Sequence, residues 1–155
     1  MDLLEKERYI FGAIFFLSNK LQTILDRAFA ADGITTKQLF MTLVIQQFGD
    51  VSPTINDVAR VMGTSHQNVK QIAMKLEKKG LVTIERDSED RRAMRIVLTE
   101  MSQSFWKDRV EEGKEFLEKF FATFEKGEID SLFSSLRKLS KGIEVLNNWK
   151  MEEER

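Results

Sequence analysis

Hydrophobic positions near the start of the chain repeat with the period of a packed α-helix. Five aliphatic residues follow one another at steps of four, three, four and three: Ile10, Ile14, Leu17, Leu21 and Ile24. This heptad spacing is typical of a helix that packs against other helices, and it predicts a long N-terminal helix within residues 1–31. The apolar run at 9–17 is shorter than the roughly 20 residues that span a bilayer. The acidic start and the polar segment after the run also differ from a secretory signal.

The last third of the chain repeats this pattern in two further segments. The same steps join Trp106, Val110, Gly113, Leu117, Phe120 and Phe124 in the first, and Ile129, Leu132, Leu136, Leu139, Ile143 and Leu146 in the second. Each set predicts one helix within 100–150. Ten of the twelve phenylalanines lie in these three outer segments, more apolar surface than a middle segment of about 70 residues can cover. Association of two subunits through these arms is therefore expected, and a bundle within one chain is the alternative.

Three capping pairs predict helix starts between the arms. In a capping box the first side chain binds the backbone N–H three residues on, and the side chain there binds back. Each pair precedes a helical segment that a glycine closes. The pairs are Thr35 with Gln38 before Gly49, Thr54 with Asp57 before Gly63, and Thr64 with Gln67 before Gly80. The last two helices are joined by a glycine turn, which predicts a helix-turn-helix.

The second helix of this motif has two chemically different faces. Its inward stripe consists of Val69, Ile72, Ala73 and Leu76. The opposite face carries His66, Gln67, Lys70, Gln71 and Lys75, with Asn68 beside it in the first turn. Amide side chains can pair with adenine, and lysine or histidine can reach guanine or phosphate, so this face suits a DNA major groove. An ordinary solvated face is the alternative.

A hairpin is predicted directly after this helix. The segments "LVTIER" and "MRIVLT" both alternate, and the charged "DSED" follows the first of them. This pattern indicates a two-stranded wing. Residues 85–100 contain four arginines and five acids. Arginine suits the negative potential of a narrow minor groove, and we expect Asp90 to accept a hydrogen bond from the Arg92 side chain and orient it. A solvated, ion-paired turn is the alternative.

The amino-acid composition limits which kinds of catalytic or metal site the chain can form. The 155 residues include no cysteine and one histidine, which leaves no thiolate ligand, cysteine nucleophile or disulfide. The net charge is −1, but residues 51–100 hold nine basic against seven acidic side chains, so positive charge is central. A zinc site at His66 would need several carboxylates. We therefore expect no enzyme, no metal, no cofactor and a cytoplasmic location.

The order of these elements resembles the MarR family of winged helix-turn-helix transcription regulators. The matching motifs are "TINDVA", "SHQNV", "LEKKGLV" and "DSEDRR" followed by "LT". The resemblance covers nearly the whole chain. It implies a mainly α fold with a small β-wing, as one MarR-type domain over 1–155. In that domain a winged helix-turn-helix at 35–99 lies between dimerisation helices at 1–31 and 100–150.

The resemblance also implies a function. Members form homodimers whose two winged domains bind a pseudo-palindromic operator in double-stranded DNA. They regulate transcription, commonly as repressors, and a small-molecule effector bound between the helical and winged parts often releases them. The residues carried over by position are Ser65, His66, Gln67, Asn68, Lys70 and Gln71 in the recognition helix, and Asp90, Arg91 and Arg92 in the wing.

Two departures from the family pattern bear on these expectations. His66 stands where arginine is frequent, which puts the base preference in doubt. Glu100, Met101 and Ser102 replace a glycine-containing stretch at the start of the next helix. The absence of cysteine excludes the family's thiol-oxidation sensing. The alternative function is a winged-helix module that contacts another protein.

Overall fold

A computed structural model of the protein describes residues 1–146 and confirms a mainly helical fold with one small β-wing. Along these residues the elements are α1 (Leu3–Ala28), α2 (Thr36–Gln47), α3 (Ile55–Met62), α4 (His66–Lys78), β1 (Val82–Arg86), β2 (Met94–Leu98), α5 (Glu100–Lys107), α6 (Val110–Phe120) and α7 (Lys126–Leu146). They form two compact units, Met1–Lys107 and a second from Asp108 onward.

The N-terminal arm is the single helix α1, as the heptad pattern predicted. Asp2 caps it in a capping box with Glu5. None of its residues is buried, and the aromatic side chains of Phe11, Phe15 and Phe16 are exposed. The helix thus presents its apolar stripe to the outside of this chain.

The hydrophobic core lies between α2, α3, α4 and the sheet. Met41, Val58, Val69, Leu76 and Ile96 are fully buried there. The core fixes the orientation of α4, because its inward stripe packs against all of these elements.

Two of the three predicted capping pairs are confirmed. The Thr35 hydroxyl and the Gln38 side chain cap α2, and those of Thr54 and Asp57 cap α3.

The third predicted capping pair is wrong. Helix α4 begins one residue later than expected, with Ser65 as its N-cap in place of Thr64. The reason lies in the preceding turn. Gly63 ends α3 at a positive φ of 62°, and the Thr64 N–H donates to the Ala59 carbonyl at 3.0 Å. Thr64 therefore belongs to the end of α3, and its spacing to Gln67 is coincidental.

The predicted wing is present as an antiparallel hairpin. In its register Val82 pairs with Leu98, and Glu85 pairs with Arg95. The hairpin also joins the segment before α3. Thr54 forms a bridge with Arg95, and the Ile96 N–H donates to the Pro53 carbonyl at 3.0 Å. The base of the wing is thus attached to the start of the helix-turn-helix.

The first C-terminal helix differs from the sequence expectation. A single helix was predicted through Trp106 and Phe124, but the chain forms α5 and α6 with a turn at 108–109 between them. A heptad pattern records which positions are apolar and does not report whether backbone hydrogen bonding is continuous. The Arg109 side chain makes no cap at the start of α6. Helix α7 agrees with the prediction, and residues 147–150 of the predicted arm lie outside the described residues.

Candidate nucleic-acid interface

Helix α4, the predicted recognition helix, presents a polar face to solvent. Its stripe of Val69, Ile72, Ala73 and Leu76 is buried, as the sequence predicted. Because the stripe is fixed in the core, the residues on the other side of the helix must point outward. The polar side chains of His66, Gln67, Lys70, Gln71 and Lys75 are exposed, as are Met74, Glu77 and Lys78 nearer the end of the helix.

Two predicted contact residues are engaged at the start of the same helix. The Ser65 hydroxyl accepts a hydrogen bond from the Asn68 N–H at 3.2 Å. The Asn68 amide nitrogen donates to the Thr64 hydroxyl at 2.8 Å, and its side chain is half-buried. These bonds order the first turn of α4. The other two amide side chains of this helix, those of Gln67 and Gln71, are exposed.

The wing tip is folded around the carboxylate of Asp87. Asp87 is only 5% exposed, although it lies in a hairpin turn. Its Oδ1 accepts hydrogen bonds from the backbone N–H groups of Glu89 and Asp90 at 2.8 and 2.7 Å. Such Asx bonds replace backbone hydrogen bonds in a tight turn. Asp87 thus shapes the loop that carries Asp90, Arg91 and Arg92.

The prediction that Asp90 binds the Arg92 side chain is wrong, because Asp90 binds the Arg92 backbone. Asp90 Oδ1 accepts from the backbone N–H of Arg92 at 2.9 Å. A spacing of two residues favours this local bond, because the backbone N–H lies nearer than the end of a long side chain. Asp90 therefore orders the backbone of Arg92. The side chains of Arg91 and Arg92 are both exposed.

Within the wing, Asp87 binds a guanidinium, that of Arg95. Arg95 Nε donates to Asp87 Oδ2, and Arg95 Nη1 donates to the Ser52 carbonyl. Sequence reasoning missed both residues. The sequence feature that could have drawn attention to Arg95 is the strand alternation. It places Arg95 in the sheet, opposite Glu85, and not in the loop.

Hydrogen bonds and nearby arginines hold the carboxylates of Asp87 and Asp57 in their charged form. The pKa of Asp87 lies below its ordinary value because the N–H groups of Asp90 and Glu89, and then Arg95, stabilise the anion. The pKa of Asp57 is lowered by hydrogen bonds from Thr54 and, less strongly, by the charges of Arg60 and Arg95. The Asp87 charge is thus satisfied inside the protein, and exposed arginines remain at the tip.

A cavity of about 310 Å³ lies between α1, α2 and α4. Polar side chains predominate in its lining, and three of them also belong to the predicted DNA-binding set. The lining includes Gln22, Asp26, Lys37, Asn68, Gln71 and Lys75. A molecule bound here would contact α4 directly.

Within residues 1–146 there is no cluster of three or more His, Asp or Glu side chains able to hold a metal ion. None of the helices described for these residues has the length and hydrophobicity to cross a membrane.

The arrangement of α3, α4 and the β1–β2 hairpin defines a winged helix-turn-helix protein. Residues 32–93 match the model of the MarR family. The chain is similar to an uncharacterized HTH-type transcriptional regulator, YfiV, from Bacillus subtilis (strain 168), with 26% identity over 107 residues. These residues make up 69% of this chain and 66% of that protein. The match thus spans a little under two thirds of that relative.

Solved structures agree with this assignment. A MarR/EmrR family transcriptional regulator from Acinetobacter sp. ADP1 has a TM-score of 0.78 and 26% identity, covering 89% of this chain and 96% of its own. BldR from Sulfolobus solfataricus has a TM-score of 0.79 at 15% identity, covering 91% and 99%. The S. aureus MepR–DNA complex has a TM-score of 0.71 at 22% identity, covering 87% and 96%; these last two show the fold alone. Residues 32–93 thus match the MarR family of transcription regulators, and the chain is similar in fold to members of that family.

Proposed function

We propose that the protein is a cytoplasmic, non-enzymatic transcription regulator that binds double-stranded DNA sequence-specifically. Helix α4 enters the major groove, and Arg91 and Arg92 of the wing reach the minor groove. The observation that carries this proposal is the exposed polar face of α4 opposite a buried apolar stripe. MepR, which shares the fold, has been solved in complex with DNA, and this supports the same use of the fold here.

The proposal includes a homodimer. Helices α1, α6 and α7 contain no buried residue, and large apolar side chains such as Leu17, Leu136 and Ile143 are exposed on them. Exposed apolar surface of this extent is typical of a subunit interface. A two-fold dimer binds two half-sites about one DNA turn, or roughly 34 Å, apart. The operator is therefore a pseudo-palindrome.

We further propose that the protein is a repressor released by a small molecule. The cavity next to α4 supports this proposal, because Asn68, Gln71 and Lys75 line it. A ligand that binds these side chains competes with DNA for them. Its lining of amides, Asp26 and Lys37 suits a small polar compound rather than an apolar one.

Selection of bound sites from random duplex DNA tests the proposal. The full chain is incubated with the library, bound duplexes are recovered, and the cycle is repeated before sequencing. We expect enrichment of a pseudo-palindrome whose half-sites lie about 10 base pairs apart. Recovery of duplexes without any shared sequence contradicts the proposal and favours the alternative of a protein-binding module.

A further inference from the structure

We propose that Arg95 is a positioning residue of the wing. It fixes the tip that carries Arg91 and Arg92 to the segment before α3, and it does not itself contact DNA. The inference rests on the proposed DNA-binding function.

Arg95 joins two parts of the molecule that are distant in sequence. One nitrogen of its guanidinium donates to the Asp87 carboxylate at the wing tip, and another donates to the Ser52 carbonyl before α3. Residue 52 and residue 95 are 43 positions apart. The planar, rigid guanidinium can hold two acceptors in a fixed geometry, which a lysine ammonium cannot.

A continuous series of hydrogen bonds leads from this contact to the tip arginines. Asp87 binds Arg95 with one carboxylate oxygen and the N–H groups of Glu89 and Asp90 with the other. Asp90 in turn binds the N–H of Arg92 at 2.9 Å. Each step fixes the donor or acceptor of the next. The backbone position of Arg92 therefore depends on where Arg95 holds Asp87.

The strand that carries Arg95 is itself anchored at this point. Arg95 forms a bridge with Thr54, the N-cap of α3, and the next residue, Ile96, is fully buried in the core. The Arg95 backbone is thus fixed relative to the helix-turn-helix. Its side chain reaches from this fixed position to the loop at the tip. That loop places no apolar side chain in the core.

Exposure separates Arg95 from the arginines that are available to DNA. The Arg95 side chain is 34% exposed, and two of its nitrogens already have protein acceptors. Arg91 and Arg92 are exposed. A guanidinium that left both acceptors for a phosphate would leave the nearly buried Asp87 without its cationic partner, which is costly. The geometry therefore favours an indirect role.

A double-mutant cycle tests this role on the selected operator. Affinity is measured for Arg95→Ala, for Arg91→Ala with Arg92→Ala, and for all three substitutions together. We expect Arg95→Ala alone to weaken binding about tenfold, an effect of about 1.4 kcal/mol. When the tip arginines are absent, it should have almost no further effect. Full additivity means that Arg95 contacts DNA directly and contradicts the proposal.

Hydrogen exchange of the protein without DNA provides an independent measurement. In Arg95→Ala the amides of Glu89, Asp90 and Arg92 should exchange several-fold faster, while the amide of Ile96 should remain protected. Arg86→Ala, which removes an exposed arginine from the other strand, is the matched control and should leave these rates unchanged. Unchanged exchange at the tip in Arg95→Ala overturns the proposal even if no DNA site is found. If exchange is faster but the protein binds no duplex, the role of Arg95 in ordering the wing tip is supported and the proposed function is overturned instead.

Discussion

The carboxylate of Asp26 accepts two hydrogen bonds from Thr36, one from the backbone N–H at 2.6 Å and one from the hydroxyl at 2.7 Å. Asp26 lies near the end of α1, and Thr36 is the first residue of α2. The contact therefore joins the N-terminal arm to the part of the chain that contains α4. Asp26 also lines the cavity beside α4, so a ligand bound there would lie against this connection.

Thr36→Val should weaken this connection without changing the size of the side chain. The variant loses the hydroxyl, which lies within hydrogen-bond distance of both Asp26 Oδ1 and the Gln22 carbonyl. The backbone bond to Asp26 remains, and we expect the free energy of unfolding to fall by about 1 kcal/mol. Urea unfolding monitored by circular dichroism measures the change. Thr23→Val is the matched control, because the exposed Thr23 hydroxyl binds only a carbonyl of its own helix. Equal losses in both variants would argue against a special role for Thr36.

Arg92→Ala should weaken operator binding by about tenfold while the fold is retained. The arginine supplies positive charge to a groove and makes no contact in the protein core. Asp90→Ala should have a smaller effect, because it removes only the bond that orders the Arg92 backbone. Arg137→Ala, on α7, is the control for a general loss of positive charge. Titration with labelled duplex measures all three, and an Arg92→Ala protein with normal affinity contradicts the wing assignment.

Gln67→Ala and Gln71→Ala should reduce sequence preference. Each base contact contributes roughly 1–3 kcal/mol of discrimination, so affinity for the operator should fall while affinity for a scrambled duplex changes little. Lys75 and Lys78 are exposed lysines near the end of α4. Their replacement by alanine should instead weaken binding to both duplexes alike, as loss of phosphate contacts does. Competition titrations with the two duplexes distinguish these cases. Equal losses on both duplexes for the glutamine variants would show that these amides do not contact bases.

Acid should destabilise the unit Met1–Lys107 through three carboxylates. The pKa values of Asp26, Asp57 and Asp87 are all lowered in the folded chain, by hydrogen bonds from Thr36, from Thr54 and from the wing-tip N–H groups respectively. In an unfolded chain these groups titrate near about 3.9. Their stabilisation is therefore complete above that pH and is lost as the pH falls through the lower folded-state values.

Urea unfolding between about pH 7 and pH 3 measures this dependence. Asp87→Asn should make the loss of stability in acid smaller, because one of the three carboxylates no longer titrates. Glu89→Gln, at an exposed position in the same loop, is the matched control. An acid dependence that is identical in the wild type and in Asp87→Asn would contradict the role assigned to this carboxylate.

Leu136→Glu combined with Leu139→Glu should produce monomers. Both side chains are exposed on α7 in the single chain, and charges there would oppose burial in an interface. Sedimentation at micromolar concentration measures the mass. Ser134→Glu with Ser135→Glu, on the same helix, is the control and should leave the dimer intact. A wild-type protein that sediments as a monomer contradicts the proposed homodimer.

The sequence predicted those parts of the fold that depend on local patterns. Such patterns relate residues that are close in sequence. They are the heptad stripe of α1, the caps of α2 and α3, and the alternation in β1 and β2. The capping box at Thr54 and Asp57 is an example, since both partners lie in one turn. At Thr64 the same motif gave a wrong helix start, because the preceding turn already used its N–H.

The sequence predicted which residues of α4 are exposed at the candidate site, but it predicted only some of the contacts between residues there. The outward face of α4 follows from periodicity alone, so its exposed residues were found. The contact of Arg95 with Ser52 joins residues 43 positions apart, and no local pattern reports such a pair. Likewise, the sequence could not distinguish an Asp90 bond to the Arg92 side chain from one to its backbone, because both have the same spacing.

The most direct test of the central claim is a comparison of affinities for the selected operator and for a scrambled duplex of equal length. The full chain is titrated on both at several salt concentrations. We predict binding to the operator at least about a thousandfold tighter than to the scrambled duplex, with affinity for both falling steeply as salt rises. Equal affinity for the two duplexes, or no binding to either, would contradict a role as a sequence-specific DNA-binding regulator.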